Sequence, residues 1–118
     1  MAKVGVEGDD VVVALSREEK LEAIHGDVRF SAQCLRAVEV IDQPIHLVKG
    51  MKLPGTRIPG VTAVGTFVEA GRRTFAAIHH HSPRGLRLVL DGGPFDEVVL
   101  GLDDPEAAAH LLEQVRQP

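Results

Sequence analysis

The chain contains no tryptophan and no tyrosine, and only four phenylalanines in 118 residues. Its core must therefore be filled by Val, Leu, Ile and Ala, and the abundance of β-branched valine favours strands. The shortage of rings also removes the platforms on which nucleic-acid bases stack, and the chain as a whole is acidic at −4, so nucleic acid is disfavoured as a partner. The single cysteine, Cys34, cannot form an intrachain disulfide, and no oxidising compartment is implied. Cys34 reads as a structural thiol beside Leu35, with no base placed to activate it. No apolar run approaches the ~18 residues of a membrane-spanning helix. The first ten residues turn acidic too early for a signal peptide. The expectation is a soluble, cytoplasmic protein. Nucleotide-binding, serine-hydrolase and paired-cysteine motifs are all missing. The chain is accordingly read as non-enzymatic, with no catalytic residue, cofactor or metal assigned.

What is present is a succession of strand-like segments closed by a helix, and residues 1–118 read as one domain. Val4–Leu15 alternates around the turn-forming Gly8-Asp9-Asp10. Ser16-Arg17-Glu18-Glu19 matches the capping box, so a short helix is expected near 17–25, with Leu21 and Ile24 as its apolar edge and Gly26 as its stop. Asp27–Phe30 and Arg36–Asp42 alternate as strands do, with a capped turn at Ser31–Leu35 between them. Pro44–Gly60 is punctuated by proline and glycine and reads as a long irregular loop, the kind of segment that is often functional. Val61–Ala70 and Arg73–His81 form a hairpin about Gly71. Further strands follow at Leu86–Leu90 and Phe95–Leu102. The last helix is expected over about 105–116, with Asp104 at the N-cap, Pro105 at the first helical position and Ala108, Leu111, Leu112 and Val115 on one apolar stripe.

This order, with Ile58-Pro59-Gly60-Val61, Gly65-Thr66-Phe67, Phe75–Ile78, Leu86–Asp91 and Val98–Glu106, resembles the small bacterial PH-like (pleckstrin-homology-like) domain proteins. The resemblance covers most of the chain and carries structural rather than catalytic motifs. It implies a mainly β fold: a PH-like two-sheet antiparallel sandwich or half-open barrel, its two sheets nearly orthogonal, with the C-terminal helix capping one open end. An α+β layer is the alternative. The acidic Glu7-Gly8-Asp9-Asp10 replaces the basic first hairpin of the phosphoinositide binders, so what the resemblance implies is a scaffold rather than an activity.

Charge is unevenly distributed. Residues 1–42 carry five basic and nine acidic groups, residues 43–90 seven basic groups against Glu69 alone, and residues 91–118 Arg116 against seven acids. The central excess suggests a small-anion or lipid-headgroup site built from Lys49, Lys52, Arg57, Arg72 and Arg73. The competing account is that these cations fold beside the acidic termini and are neutralised there. Ile45, Leu47, Val48, Met51, Leu53 and Ile58 are too many apolar residues for a solvated loop. They either cover an open barrel end or form a surface for a protein partner or a second copy. An open sheet edge could add a strand from another chain. Recognition of a protein, or of itself, through such an edge and the 44–60 loop is the leading functional reading. The least favoured is a metal-dependent enzyme using His79 and His81, which share one side of a strand but lack a third placed ligand.

Overall fold

The computed structural model describes residues 1–79 and 82–116. The chain is mainly β, with two sheets and a C-terminal helix. A first hairpin joins β1 (Lys3–Glu7) to β2 (Asp10–Ala14) through Gly8, whose φ of +61° suits glycine. Helix α1 (Arg17–Ala23) follows, and its capping box forms as expected. Ser16 Oγ accepts from Glu19 N at 3.2 Å, and Glu19 Oε1 accepts from Ser16 N at 2.9 Å. β3 (Val28–Ser31) returns beside β2 and completes a three-stranded antiparallel sheet.

Ser31 caps a 3₁₀ turn, Ala32–Cys34, and β4 (Leu35–Asp42) enters the second sheet. The expected long loop is largely regular: a 3₁₀ turn at Pro44–Leu47 leads into an eight-residue strand, β5 (Met51–Ile58). β6 (Thr62–Glu69) and β7 (Arg72–Ile78) form the anticipated hairpin, turning on Ala70 and Gly71, both at positive φ. β8 (Arg84–Leu90), β9 (Glu97–Gly101) and α2 (Pro105–Val115) complete the fold. In α2, Asp104 Oδ1 caps Ala107 N at 3.1 Å, Pro105 stands at the helix start, and Leu112 is fully buried.

The six strands of the second sheet run in the order β4-β8-β9-β7-β6-β5. One neighbouring pair corrects the all-antiparallel expectation: β7 and β9 are parallel, Phe75 beside Val98 and Ala77 beside Leu100. The cause is strand placement. β7, β8 and β9 alternate in direction, but β9 slots between its two predecessors, so it lies antiparallel to β8 and parallel to β7.

Both faces of this sheet are covered. On one, Leu35, Leu86, Leu88, Val98 and Leu100 pack against Val11, Val13, Val28 and Phe30 of the small sheet, with Leu112 of α2. On the other, Ala63, Phe67, Ala76, Ile78 and Val99 form a second cluster with Val48, against which Ile41 and Ile45 pack. Ile45 and Val48 therefore act as lids on a core rather than as a free surface. Gly85 and Gly101 face each other across β8 and β9 where that cover comes closest.

Candidate functional site

β5 is an edge of the six-stranded sheet and, among the described residues, pairs only with β6. Its register shifts between Lys52 and Gly55, so Leu53 and Pro54 sit in a bulge. The bulge and the proline blunt the edge without covering it. The pairing also sorts the side chains. Met51, Thr56 and Ile58 lie opposite Val68, Val64 and Thr62, on the face that carries Phe75 and Ala77. Lys52, Gly55 and Arg57 lie opposite Phe67, Gly65 and Ala63, on the other face. β5 thus carries apolar and threonine side chains on one side and cations on the other. Met51 and Ile58 are 75% and 51% exposed.

Helix α1 packs over β5 and β6 on the apolar side. Thr56 Oγ1 donates to the Glu22 carbonyl at 2.9 Å. The helix does not present the edge expected of it: it buries Glu19 and Ala23, while Leu21 and Ile24 are 75% and 73% exposed. Glu19 is buried with its Oε1 closing the capping box and its Oε2 3.8 Å from His79 Nδ1. Ile24, rather than Gly26, ends the helix, at φ +51° and ψ +50°. A β-branched side chain is strained in that left-handed region. Leu21 and Ile24 of α1 and Met51 and Ile58 of the neighbouring β5 are thus all exposed.

The five candidate anion-binding cations do not converge. Lys49 and Arg72 line a hollow of about 180 Å³ together with Leu47, Thr74 and the carboxylates of Glu69 and Glu97. Arg57 donates to the carbonyls of Gly50 and Val48, and its guanidinium lies 5.5 Å from the centre of the Phe67 ring. Arg73 lies over Phe95, at 5.8 Å, on the opposite face from Arg72. None of the five side-chain cations has a carboxylate within 4.0 Å among the described residues, although the Arg73 backbone N–H donates to Asp96 Oδ2 at 2.8 Å. The remaining arginines of the central segment do reach acids of the flanking segments. Arg84 meets Glu106 and Asp42, and Arg87 bridges Glu39 and Glu97. Partial burial alone would lower the Arg87 pKa, but its bonds to Glu97 and Glu39 outweigh that and raise it.

A second cluster joins β7 to α1. His79 Nε2 is 3.1 Å from Glu22 Oε1, and Nδ1 is 3.8 Å from Glu19 Oε2, an oxygen that is buried without a hydrogen bond. No set of three His, Cys, Asp or Glu is placed to hold a metal among the described residues, and His81 lies outside them. Cys34 is half-buried, with its side chain near Gly93. No helix among the described residues is long and apolar enough to cross a membrane.

Sequence reasoning reached Met51, Leu53 and Ile58 through their number. It missed Leu21 and Ile24 as surface residues, because helical spacing alone points them inward. Comparison with family models, with curated proteins and with solved structures gives no match.

Proposed function

We propose that this chain is a non-enzymatic interaction domain that recognises a protein by adding one of its extended segments to the β5 edge. The observation that carries this reading is an edge strand, unpaired on its outer side among the described residues, whose Met51 and Ile58 are exposed and which lies against α1 with its exposed Leu21 and Ile24. An outer strand offers unpaired backbone groups, which supply affinity, and side-chain surface on both sides, which supplies selectivity. The strain at Ile24 supports the same reading. Glycine would end the helix at lower cost, so an exposed isoleucine held there suggests a requirement other than folding.

The two-sheet core with its C-terminal helix supports a PH-like assignment, which we advance together with a cytoplasmic setting; the parallel β7–β9 pair departs from the antiparallel form of that fold. The test is site-specific photo-crosslinking in cells. A photoreactive residue at Ile58 should capture a discrete protein, and one at Arg29, exposed on the three-stranded sheet, should not. Equal capture from both positions would remove the edge from consideration.

A second reading is binding of a small anion or a lipid headgroup. It rests on Lys49, Lys52 and Arg72, which have no carboxylate within 4.0 Å among the described residues. The hollow that Lys49 and Arg72 share also contains Glu69 and Glu97, which offset their charge. Co-sedimentation with phosphatidylserine vesicles that is lost in Lys49→Glu with Lys52→Glu would favour this second reading over the first.

A further inference from the structure

We infer that the occupant of the β5 edge is an extended segment of another protein in which apolar and acidic residues alternate. This rests on the edge reading above and specifies the chemistry of the partner.

A strand added to β5 continues the pleat, so its successive side chains fall alternately on the two faces of the sheet. The faces differ at this margin. One presents Met51 and Ile58 and is the face on which α1 packs, with its own Leu21 and Ile24 exposed. Every second residue of an added strand would lie there, and burial favours an apolar one. The other face presents Lys52, and Arg57, whose guanidinium is bonded to the Gly50 and Val48 carbonyls but, like Lys52, has no carboxylate within 4.0 Å among the described residues to neutralise it. The intervening residues would lie there, and directly opposed charges of unlike sign stabilise a strand pair. Glu97 does not compete for these cations, because its carboxylate is held by Thr74 and Arg87.

A second copy of β5 is a poor occupant. In an antiparallel pair, opposed residues share a face, so two β5 edges would gather Lys52 and Arg57 of both copies on one face with no acid of β5 among them. Opposed like charges destabilise a strand pair. The bulge at Leu53 and Pro54 limits the pairing further. Proline has no N–H to offer, so the edge presents its backbone in two pieces, Met51–Lys52 and Gly55–Ile58, the longer of which includes Thr56 and its bond to α1.

The experiment uses three fluorescein-labelled eight-residue peptides: alternating Val-Glu, alternating Val-Lys, and a block peptide of four Val then four Glu. Fluorescence anisotropy is read against the whole chain at low and moderate salt. The alternating Val-Glu peptide should bind about tenfold or more tighter than either comparator, the sum of a few favourable cross-strand pairs. Raising salt should narrow its advantage over Val-Lys. Lys52→Glu should erase most of the preference for Val-Glu over Val-Lys. Ile58→Glu and, independently, Leu21→Asp should weaken all binding. Both positions are exposed, and circular dichroism confirms that each variant folds.

Equal binding of all three peptides, lost in Ile58→Glu, would overturn the acidic alternation while leaving the edge reading intact. Binding of Val-Glu that is indifferent to both Ile58→Glu and Leu21→Asp would overturn the edge reading itself. No binding of Val-Glu would overturn the inference. So would a dimer by light scattering that Ile58→Glu dissolves, or vesicle binding that needs Leu21 and Ile58.

Discussion

Arg57 lies over the ring of Phe67, 5.5 Å from its centre, and donates from the same guanidinium to the carbonyls of Gly50 and Val48. One side chain on the edge strand thus ties down the segment that leads into it, and Val48 keeps its place over the second core cluster.

Arg57→Ala should therefore destabilise the fold by about 1 kcal/mol, from a partly exposed cation–ring contact and two carbonyl bonds. Arg57→Lys should recover only part of the loss, because an ammonium cannot reach both carbonyls in the planar geometry of the guanidinium. The urea midpoint should fall while the slope of the transition stays unchanged.

Ile24→Gly should raise stability by about 1 kcal/mol. The left-handed conformation is costly for isoleucine and ordinary for glycine at a helix end, and the exposed side chain contributes little burial. Calorimetry should show a higher midpoint. The same variant should bind the alternating Val-Glu peptide less well, which would place folding and recognition in opposition at one residue.

Gly85→Ala should be among the most damaging single-methyl changes in the chain. A Cβ there would lie 2.0 Å from the Leu100 carbonyl oxygen of the paired strand and 2.9 Å from Pro44 Cγ. Backbone in a paired strand cannot yield cheaply, and a loss of about 3 kcal/mol is expected. Chemical denaturation of purified protein reads it directly.

Acid should selectively remove one tie between α2 and the sheet. Hydrogen bonding from Arg84 holds the Glu106 carboxyl below its ordinary 4.5. A depressed folded pKa contributes stability that is present above the unfolded value and is lost as pH falls through the folded one. Glu106→Gln should therefore be less stable than the parent at neutral pH, with the gap closing as pH drops below 4.5. A gap independent of pH would show that the carboxylate charge is not what Arg84 recognises.

Local signals were legible where local chemistry decides the outcome. Ser16 with Glu19, Asp104 with Pro105, and the turn at Gly71 each satisfy backbone groups within a few residues, so the spacing alone announces them. β5 was obscured because Gly50, Pro54, Gly55 and Gly60 mimic a loop. The alternation of Met51-Lys52-Leu53 and Thr56-Arg57-Ile58 was present, but the bulge shifts its phase midway. The orientation of α1 was not legible, because the buried Glu19 meets groups remote in sequence, among them His79, which lies 60 residues further along the chain. The split of the basic cluster was available in principle. Arg72 and Arg73 are adjacent in a strand, and a period of two places them on opposite faces.

The strand in the middle of the six-stranded sheet, β9, is the last of the nine described strands to be synthesised. Until Gly101 has cleared the ribosome, β8 and β7 have no partner between them, and β6 and β4 belong to two halves that cannot join. Until then the nascent chain can form only separate pieces: the three-stranded sheet, the β4–β8 pair and the β5-β6-β7 meander. The edges that β9 will occupy remain open for that interval, when capture by a chaperone or by a neighbouring nascent chain competes with the final closure.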